Sequence, residues 1–170
     1  CQSGDGTTLV VSEGKKVIVR SVATGATLQE FEHENRVTDS CLSGDGTTLV
    51  VSEGKKVIVR NVSTGATLQE FTHEKQVTST CLSGDGKTIV TVEKVDKGSH
   101  WGGLVLVRNV DTGAELQKFE HEQEVTSSSL SGDGKTLVTV EHKKLFASGR
   151  PKADATITVR NVDTGATLQE

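Results

Sequence analysis

The chain has 170 residues and a mass of 18.0 kDa, with 33% hydrophobic residues, 25% charged residues and a formal net charge of -4 at pH 7. This size and composition predict one soluble domain with its own core. The acidic balance disfavours binding to nucleic acid or to an anionic membrane surface. No apolar run approaches the ~20 residues of a membrane helix, and no signal peptide is visible.

The sequence is an internal repeat. The stretch from Cys1 to Ser40 returns almost unchanged from Cys41 to Thr80, and it returns twice more with additions. We divide the single repeat domain, 1–170, into repeats at approximately 1–40, 41–80, 81–128 and 129–170. A period of about forty residues indicates one small structural unit that is stacked several times.

Each repeat has the hydrophobic pattern of strands. In the first copy, four segments rich in β-branched residues or alternating in polarity predict strands: Thr8–Ser12, Lys16–Val22, Ala26–Phe31 and Val37–Ser43. Asp5-Gly6 and Thr24-Gly25, which recur in every copy, predict tight turns. No segment predicts a helix.

Four-stranded meanders that recur at about forty residues are typical of β-propeller blades. We therefore predict an all-β fold, a β-propeller of four-stranded antiparallel blades, with four repeats present. Aromatic content is only 3%, with no Tyr and one Trp, so the core is expected to consist of Val, Leu and Ile.

The stretches from Val77 to Thr88 and from Val107 to Gly113 resemble the WD-repeat (Trp-Asp repeat) family. As in that family, a histidine stands four residues before the Val that begins the innermost strand, at His33, His73 and His121. The resemblance covers the whole chain. It implies a propeller that serves as a non-enzymatic protein-protein interaction or scaffolding module.

The sequence departs from the family at the pair that names it. Arg-Ser or Arg-Asn replaces Trp-Asp in all four copies, at Arg20, Arg60, Arg108 and Arg160. Glycine stands at the family's turn aspartate in three copies, so the family's buried hydrogen-bonded set cannot form. Because the change is repeated, we expect a coherent alternative packing in which the long arginine side chain replaces the flat ring.

The cysteines occupy one equivalent position, at Cys1, Cys41 and Cys81, with Ser129 in the fourth copy. Metal ligands converge at short spacings, so this pattern favours a small buried residue between units over a metal site. We expect Cys41 and Cys81 to remain unbridged. Unpaired thiols and the lack of a signal peptide favour the cytoplasm.

No catalytic site, cofactor site or metal site is predicted. Histidines beside carboxylates, as at His73-Glu74, are repeated in every blade, whereas an active site converges on one place. The Ser-Gly-Asp-Gly turns each supply one carboxylate, too few for calcium. The histidines are therefore predicted to be structural, and the glycine turns to be hairpins.

Two additions break the repeat, and both are predicted to lie in loops between the second and third strands. They carry the only Trp and a group of basic residues. The candidate partner-binding residues are His100, Trp101, Lys143, Lys144, Phe146, Arg150 and Lys152. A basic surface with aromatic side chains suits an acidic or phosphorylated protein or peptide. The alternative is that Trp101 and Phe146 fold back over exposed β edges.

A second function class stays open, namely structural self-assembly, in which blade edges form a homo-oligomer or an end-to-end array. Three arrangements are compatible with the repeats: a window from a longer propeller, two chains that complete an eight-bladed ring, and a closed ring of four blades. In each arrangement the exposed strand edges have to be covered.

Overall fold

The structure, a computed structural model, describes residues 1–147 and 150–170; the side chains of 143–147 and 150–154 lie outside this description. The described residues form fifteen strands and no helix. This part of the chain therefore has no helix that could cross a membrane. The strands are β1 Thr8–Glu13, β2 Lys16–Ser21, β3 Thr27–Glu32, β4 Val37–Leu42, β5 Thr48–Glu53, β6 Lys56–Asn61, β7 Thr67–Thr72, β8 Val77–Leu82, β9 Thr88–Asp96, β10 Trp101–Asn109, β11 Glu115–His121, β12 Glu124–Leu130, β13 Thr136–Ala147, β14 Arg150–Asn161 and β15 Thr167–Gln169.

The strands form four antiparallel sheets, each a meander in chain order, which we call blades 1 to 4. Blade 1 contains β1 to β3, and blades 2, 3 and 4 contain four strands each. An isolated bridge between Gln2 and Leu9 stands where the other blades have a complete innermost strand. The predicted all-β propeller architecture is confirmed.

The two additions correct one prediction, because they extend strands instead of forming loops. In blade 3, β9 and β10 are 9 residues each, and Trp101 pairs with Asp96 at the end of the ladder. In blade 4, β13 and β14 reach 12 residues each, and even Pro151 has a ladder partner, Phe146. The ladder between the two central strands of each blade continues into the added residues, so the hairpins lengthen.

The Ser-Gly-Asp-Gly segments are turns, as predicted. In blade 2, Ser43 Oγ donates to Asp45 Oδ1 at 2.6 Å, and the same carboxylate oxygen accepts from the Thr47 backbone N–H at 3.0 Å. Gly46 has a φ of 70°, which a glycine adopts without strain. The turn is thereby fixed by its own side chains.

The hydrophobic core lies between blades. One face of blade 1, with Val17 and Val19, packs against Leu49 and Val51 of blade 2. The same pairing recurs between blades 2 and 3 and between blades 3 and 4. We call the face that contacts the following blade the back face, and the face that contacts the preceding blade the front face. Each joint therefore consists of one back face and one front face.

Near the axis, the first glycines of the Ser-Gly-Asp-Gly turns contact one another. A Cβ added to Gly84 would lie 2.8 Å from the carbonyl oxygen of Gly132, and one added to Gly44 would lie 3.0 Å from Gly84 Cα. The Gly84 N–H donates to the Gly132 carbonyl at 2.8 Å. Glycine at this position lets adjacent backbones approach closely.

The three cysteines are free thiols. Cys41 and Cys81 are half-buried, and burial raises the pKa of Cys81 to about 11 and that of Cys41 well above its ordinary value. Cys1 is exposed, contrary to the prediction of a buried residue, although its Sγ accepts from the Leu42 N–H of blade 2 at 3.4 Å.

Candidate protein-interaction surface

An open groove of about 490 Å³ lies where blades 2 and 3 meet. We call it the basic groove, and its lining residues are Lys55, Lys75, Gln76, Lys94, Asp96 and Trp101. Three of these residues are lysines and one is an aspartate, and Lys94 is paired with Glu124, so Lys55 and Lys75 give the groove a positive charge within a chain that is acidic overall. Such a site attracts anionic groups.

Backbone hydrogen bonds hold the segments of the groove together. The His73 N–H donates to the Lys55 carbonyl at 2.8 Å, which fixes the linker after β7 on the turn between β5 and β6. The Lys94 N–H donates to the Gln76 carbonyl at 3.0 Å, which attaches β9 to the same linker. The groove is therefore preformed by the blades.

Trp101 is the aromatic element of the groove. Its side chain is 47% exposed, and Lys94 Nζ lies 4.7 Å from the centre of its ring. The same ammonium group forms an ion pair with Glu124 Oε1 of blade 4 at 2.7 Å. This ion pair holds the Lys94 side chain in its position over the Trp101 ring. The indole is held in place while a broad part of its surface stays open to a partner.

His100 lies in the turn at the tip of the β9–β10 hairpin. Its side chain is exposed, and its Nδ1 lies 3.1 Å from Ser99 Oγ. Its carbonyl accepts from the Lys97 N–H at 3.0 Å, which closes the turn. His100 is beside Trp101 and does not line the basic groove.

The other predicted residues, Lys143, Lys144, Phe146, Arg150 and Lys152, belong to β13 and β14, and their side chains lie outside the described residues. The structure therefore neither joins them to Trp101 nor separates them from it. Sequence reasoning missed Lys55, Lys75 and Gln76, which come from the regular repeat. The available signal was that Lys75 and Gln76 replace Asn35 and Arg36 of the first copy.

Each joint between blades also contains a group of four side chains, three of them polar and one aromatic, which we call the joint cluster. A Phe and a His from one blade meet a Glu and an Arg from the next. The clusters are Phe31, His33, Glu53 and Arg60; Phe71, His73, Glu93 and Arg108; and Phe119, His121, Glu141 and Arg160.

The second joint cluster shows the hydrogen-bonded arrangement. His73 Nδ1 lies 2.7 Å from Glu93 Oε1, and Arg108 Nη1 lies 3.4 Å from His73 Nε2. Because a guanidinium only donates and a carboxylate only accepts, the ring carries its proton on Nδ1 and accepts at Nε2. The guanidinium carbon also lies 5.2 Å from the centre of the Phe71 ring. The predicted alternative packing around arginine is thus observed.

The first joint cluster has looser contacts. His33 Nδ1 lies 3.8 Å from Glu53 Oε2, beyond hydrogen-bonding distance, and neither ring nitrogen has a partner among the described residues. Arg60 still stacks on Phe31, 4.7 Å from the ring centre. Burial lowers the pKa of His33 and of His73, since an imidazolium loses its hydration inside the joint.

The joint clusters resemble acid-base pairs in composition but differ from them in access. His73 and His121 are buried, and in both the two ring nitrogens have protein partners. A general base has to reach its substrate. The geometry therefore favours the structural interpretation of the repeated histidines.

No protein-family model matches the sequence, and no curated protein matches it. Among solved structures, the hydrazine synthase of Kuenenia stuttgartiensis is similar, with a TM-score of 0.74 and 20% identity over 99% of this chain and 46% of that chain. The WD40 repeats of RRP9 are similar with a TM-score of 0.74 and 18% identity over 99% of this chain and 48% of that chain.

The chain thus spans about half the length of these two solved chains. At this level of identity the likeness shows the fold alone, and it supports the propeller architecture. One of the two is a WD40-repeat structure and the other is named as an enzyme, so the fold is found in both kinds of protein.

Proposed function

We propose that this chain is a non-enzymatic protein-interaction module that binds an acidic or phosphorylated segment in the basic groove. The observation that carries the proposal is the exposed Trp101 among Lys55, Lys75 and Lys94. An aromatic side chain beside cationic groups supplies the apolar anchor and the charge that such a segment requires. The fold shared with the WD40 repeats of RRP9 supports an interaction role.

Trp101 provides the readout, since it is the only tryptophan of the chain. We would titrate the protein with a hexaglutamate peptide and with a phosphoserine peptide of the same length, and follow the indole emission. Both peptides are anionic, so their relative affinities show whether the groove prefers carboxylate or phosphate groups. We expect saturable binding that weakens as salt is added.

Two substitutions test the charge of the groove. Lys75→Gln removes a lysine from the groove, whereas Lys87→Gln removes an exposed lysine at the opposite end of β9. We expect about a tenfold loss of affinity for Lys75→Gln and no change for Lys87→Gln. Equal affinity of both variants would contradict the proposed site.

The aromatic anchor is tested with a fluorescent copy of the tighter peptide. Trp101→Ala should abolish binding at an unchanged melting temperature, and Leu68→Ala, which truncates an exposed side chain elsewhere, should have no effect. If Trp101→Ala lowers the melting temperature by several degrees and binding is retained, the indole covers the hairpin instead of a partner.

We also propose a structural function, self-assembly through the end blades. The observation that favours it is the exposure of apolar side chains on the front face of blade 1 and the back face of blade 4, whose counterparts in the interior are buried. Sedimentation equilibrium over a hundredfold range of concentration tests it. A mass that stays at 18.0 kDa throughout would exclude this function.

A further inference from the structure

Another cavity, of about 290 Å³, lies on the front face of blade 3 at the joint with blade 2. We call it the joint cavity, and it shares no lining residue with the basic groove. Its inner wall contains His73, Glu93 and Arg108 of the second joint cluster, whose side chains already contact one another. The remaining lining residues therefore decide what the cavity binds. Its volume is close to the lower end of the range for ligand sites, roughly 300 to 1,000 Å³, and suits a small molecule.

The outer part of the joint cavity is where the repeat is broken. Four of its lining residues differ from those at the same place in the other copies. They are Thr72, Leu104, Glu115 and Lys118, where the other copies have Glu, Lys or Thr, Thr and Glu, respectively. The other copies show which residues a blade requires for folding. Four differences that converge on one cavity therefore indicate a role for this cavity beyond folding.

Two of the differences replace an ion pair between strands. In blade 2, Lys56 Nζ on β6 lies 3.0 Å from Glu70 Oε1 on β7. In blade 3, Leu104 takes the place of that lysine, and Lys118 takes the place of that glutamate. The Lys118 ammonium group has no ion-pair partner among the described residues, so it can bind an anionic group.

Glu115 supplies the opposite charge. The ladder places Lys118 opposite Leu106 and Glu115 opposite Arg108, so both charged residues lie on the front face of β11. The Glu115 side chain is 47% exposed, and its Oε2 lies 4.0 Å from Arg108 Nη2, beyond hydrogen-bonding distance. Glu74 of blade 2 adds a second carboxylate to the lining. The cavity thus presents an ammonium group and carboxylates to one small volume.

The floor of the joint cavity is apolar. Leu104 and Leu106 line it, and they alternate along β10 with Val105 and Val107, which are fully buried against blade 4. Because successive side chains of a strand point to opposite faces, the two leucines face blade 2. They offer an aliphatic surface beside the charged groups.

We propose that the joint cavity binds a small zwitterion, an α-amino acid with an aliphatic side chain. The carboxylate of the ligand pairs with the Lys118 ammonium group, and the ammonium group of the ligand pairs with the carboxylates of Glu74 and Glu115. The side chain of the ligand packs on the two leucines. A ligand with a single charge leaves one set of charged groups in the cavity without a partner, so both charges are required. This binding is independent of the basic groove.

Calorimetric titration with three probes of one shape tests the requirement for both charges. L-Leucine carries both, 4-methylpentanoate carries only the carboxylate, and 3-methylbutylamine carries only the ammonium group. We expect saturable binding of one L-leucine per chain, and binding of the other two probes that is weaker by about tenfold or more. Failure of L-leucine to bind overturns the proposal, and so does equal affinity for either probe with one charge.

Two variants that restore residues of the other copies locate the site. Lys118→Glu and Glu115→Thr introduce residues that blades 1 and 2 contain at these places, so folding should be retained, as circular dichroism verifies. We expect each to weaken L-leucine binding by about tenfold. Asp111→Ser, the matched control, introduces the residue of blade 2 at an exposed turn outside the cavity and should leave the affinity unchanged.

The variants also separate the joint cavity from other places where the probe could bind. If folded Lys118→Glu and Glu115→Thr chains bind L-leucine as the wild type does, the probe binds elsewhere and the proposal is overturned. A loss in Asp111→Ser as large as in these two variants overturns it as well, because the effect would not depend on the cavity.

Discussion

The Nδ1 atom of His73 lies 2.7 Å from Oε1 of Glu93, although the two residues belong to different blades. In the preceding joint the equivalent pair, His33 and Glu53, is 3.8 Å apart, and the His33 ring has no hydrogen-bond partner among the described residues. Two copies of one motif thus differ in how well they satisfy a buried histidine. The difference makes the contribution of the histidine hydrogen bonds measurable within one chain.

Replacement of each histidine by leucine tests this difference. We expect His73→Leu to lower the free energy of unfolding by ~1 to 3 kcal/mol more than His33→Leu, because it takes a partner from the buried Glu93 carboxylate whereas His33→Leu breaks no hydrogen bond. Urea denaturation of the two variants measures it. Equal losses would show that packing, and not the hydrogen bond, sets the contribution of the ring.

The stability of the chain should fall below about pH 6.5, the ordinary pKa of histidine. Burial lowers the pKa of His33 and His73 in the fold, so the unfolded chain binds protons more strongly. The two histidines contribute fully to the stability of the fold when the pH is above their ordinary pKa. This contribution is lost as the pH falls through their lowered pKa in the fold.

Melting temperatures at pH 7.5 and pH 5.5 measure this dependence. The wild type should melt at a lower temperature at pH 5.5, and His33→Leu should reduce the difference between the two temperatures. The Glu53 carboxylate raises the pKa of His33 and the Arg60 guanidinium lowers it, but burial has the larger effect, so the pKa of His33 is lowered overall. Identical melting temperatures at the two pH values would contradict the prediction.

The glycine contacts near the axis can be tested with a matched pair. Gly84→Ala places a Cβ 2.8 Å from the carbonyl oxygen of Gly132, whereas a Cβ added to Gly132 meets nothing within 4 Å. We expect Gly84→Ala to destabilise by ~1 to 3 kcal/mol and Gly132→Ala to be neutral or stabilising by ~0.5 kcal/mol. Thermal unfolding of both variants is the measurement, and equal effects would rule out a role for the close approach.

Two buried threonines differ in the fate of their hydroxyl groups. Thr91 has no partner for Oγ1 within the described part of the chain, and the first two repeats have Val11 and Val51 at its position. Thr80 donates its hydroxyl to Asp39 at 3.4 Å. We expect Thr91→Val to stabilise by ~1 kcal/mol and Thr80→Val to destabilise, as measured by denaturant midpoints. A loss of stability in Thr91→Val would mean that its hydroxyl is satisfied in solution.

The strands and turns were predictable because each depends on neighbours in sequence. Alternation of Val with polar residues sets the strands, and Asp-Gly pairs set the turns, so the blades follow from local chemistry. The lengthened hairpin that ends at Asp96 and Trp101 was predicted as a loop, because an addition to a repeat was equated with irregular structure. The ladder between β9 and β10 instead continues through the added residues as far as the pair formed by Asp96 and Trp101.

The basic groove and the joint cluster were predicted only in part, because their members are distant in sequence. Lys55 and Lys75 join Trp101 through contacts between blades that no local pattern encodes. The sequence indicated that arginine replaces the family's tryptophan, but not that Glu93 supplies the carboxylate. That glutamate recurs in all four copies, which was the available signal.

The arginine and the asparagine that follows it divide two tasks. Arg108 reaches back to the preceding blade, while Asn109 Oδ1 accepts from the Thr112 N–H at 2.9 Å and shapes the turn of its own blade. Each blade therefore contains the side chain that stabilises its own turn and the side chain that contacts the preceding blade. A gene encoding such a chain can gain or lose one whole blade by duplication or deletion, and the new neighbours meet through contacts that already exist.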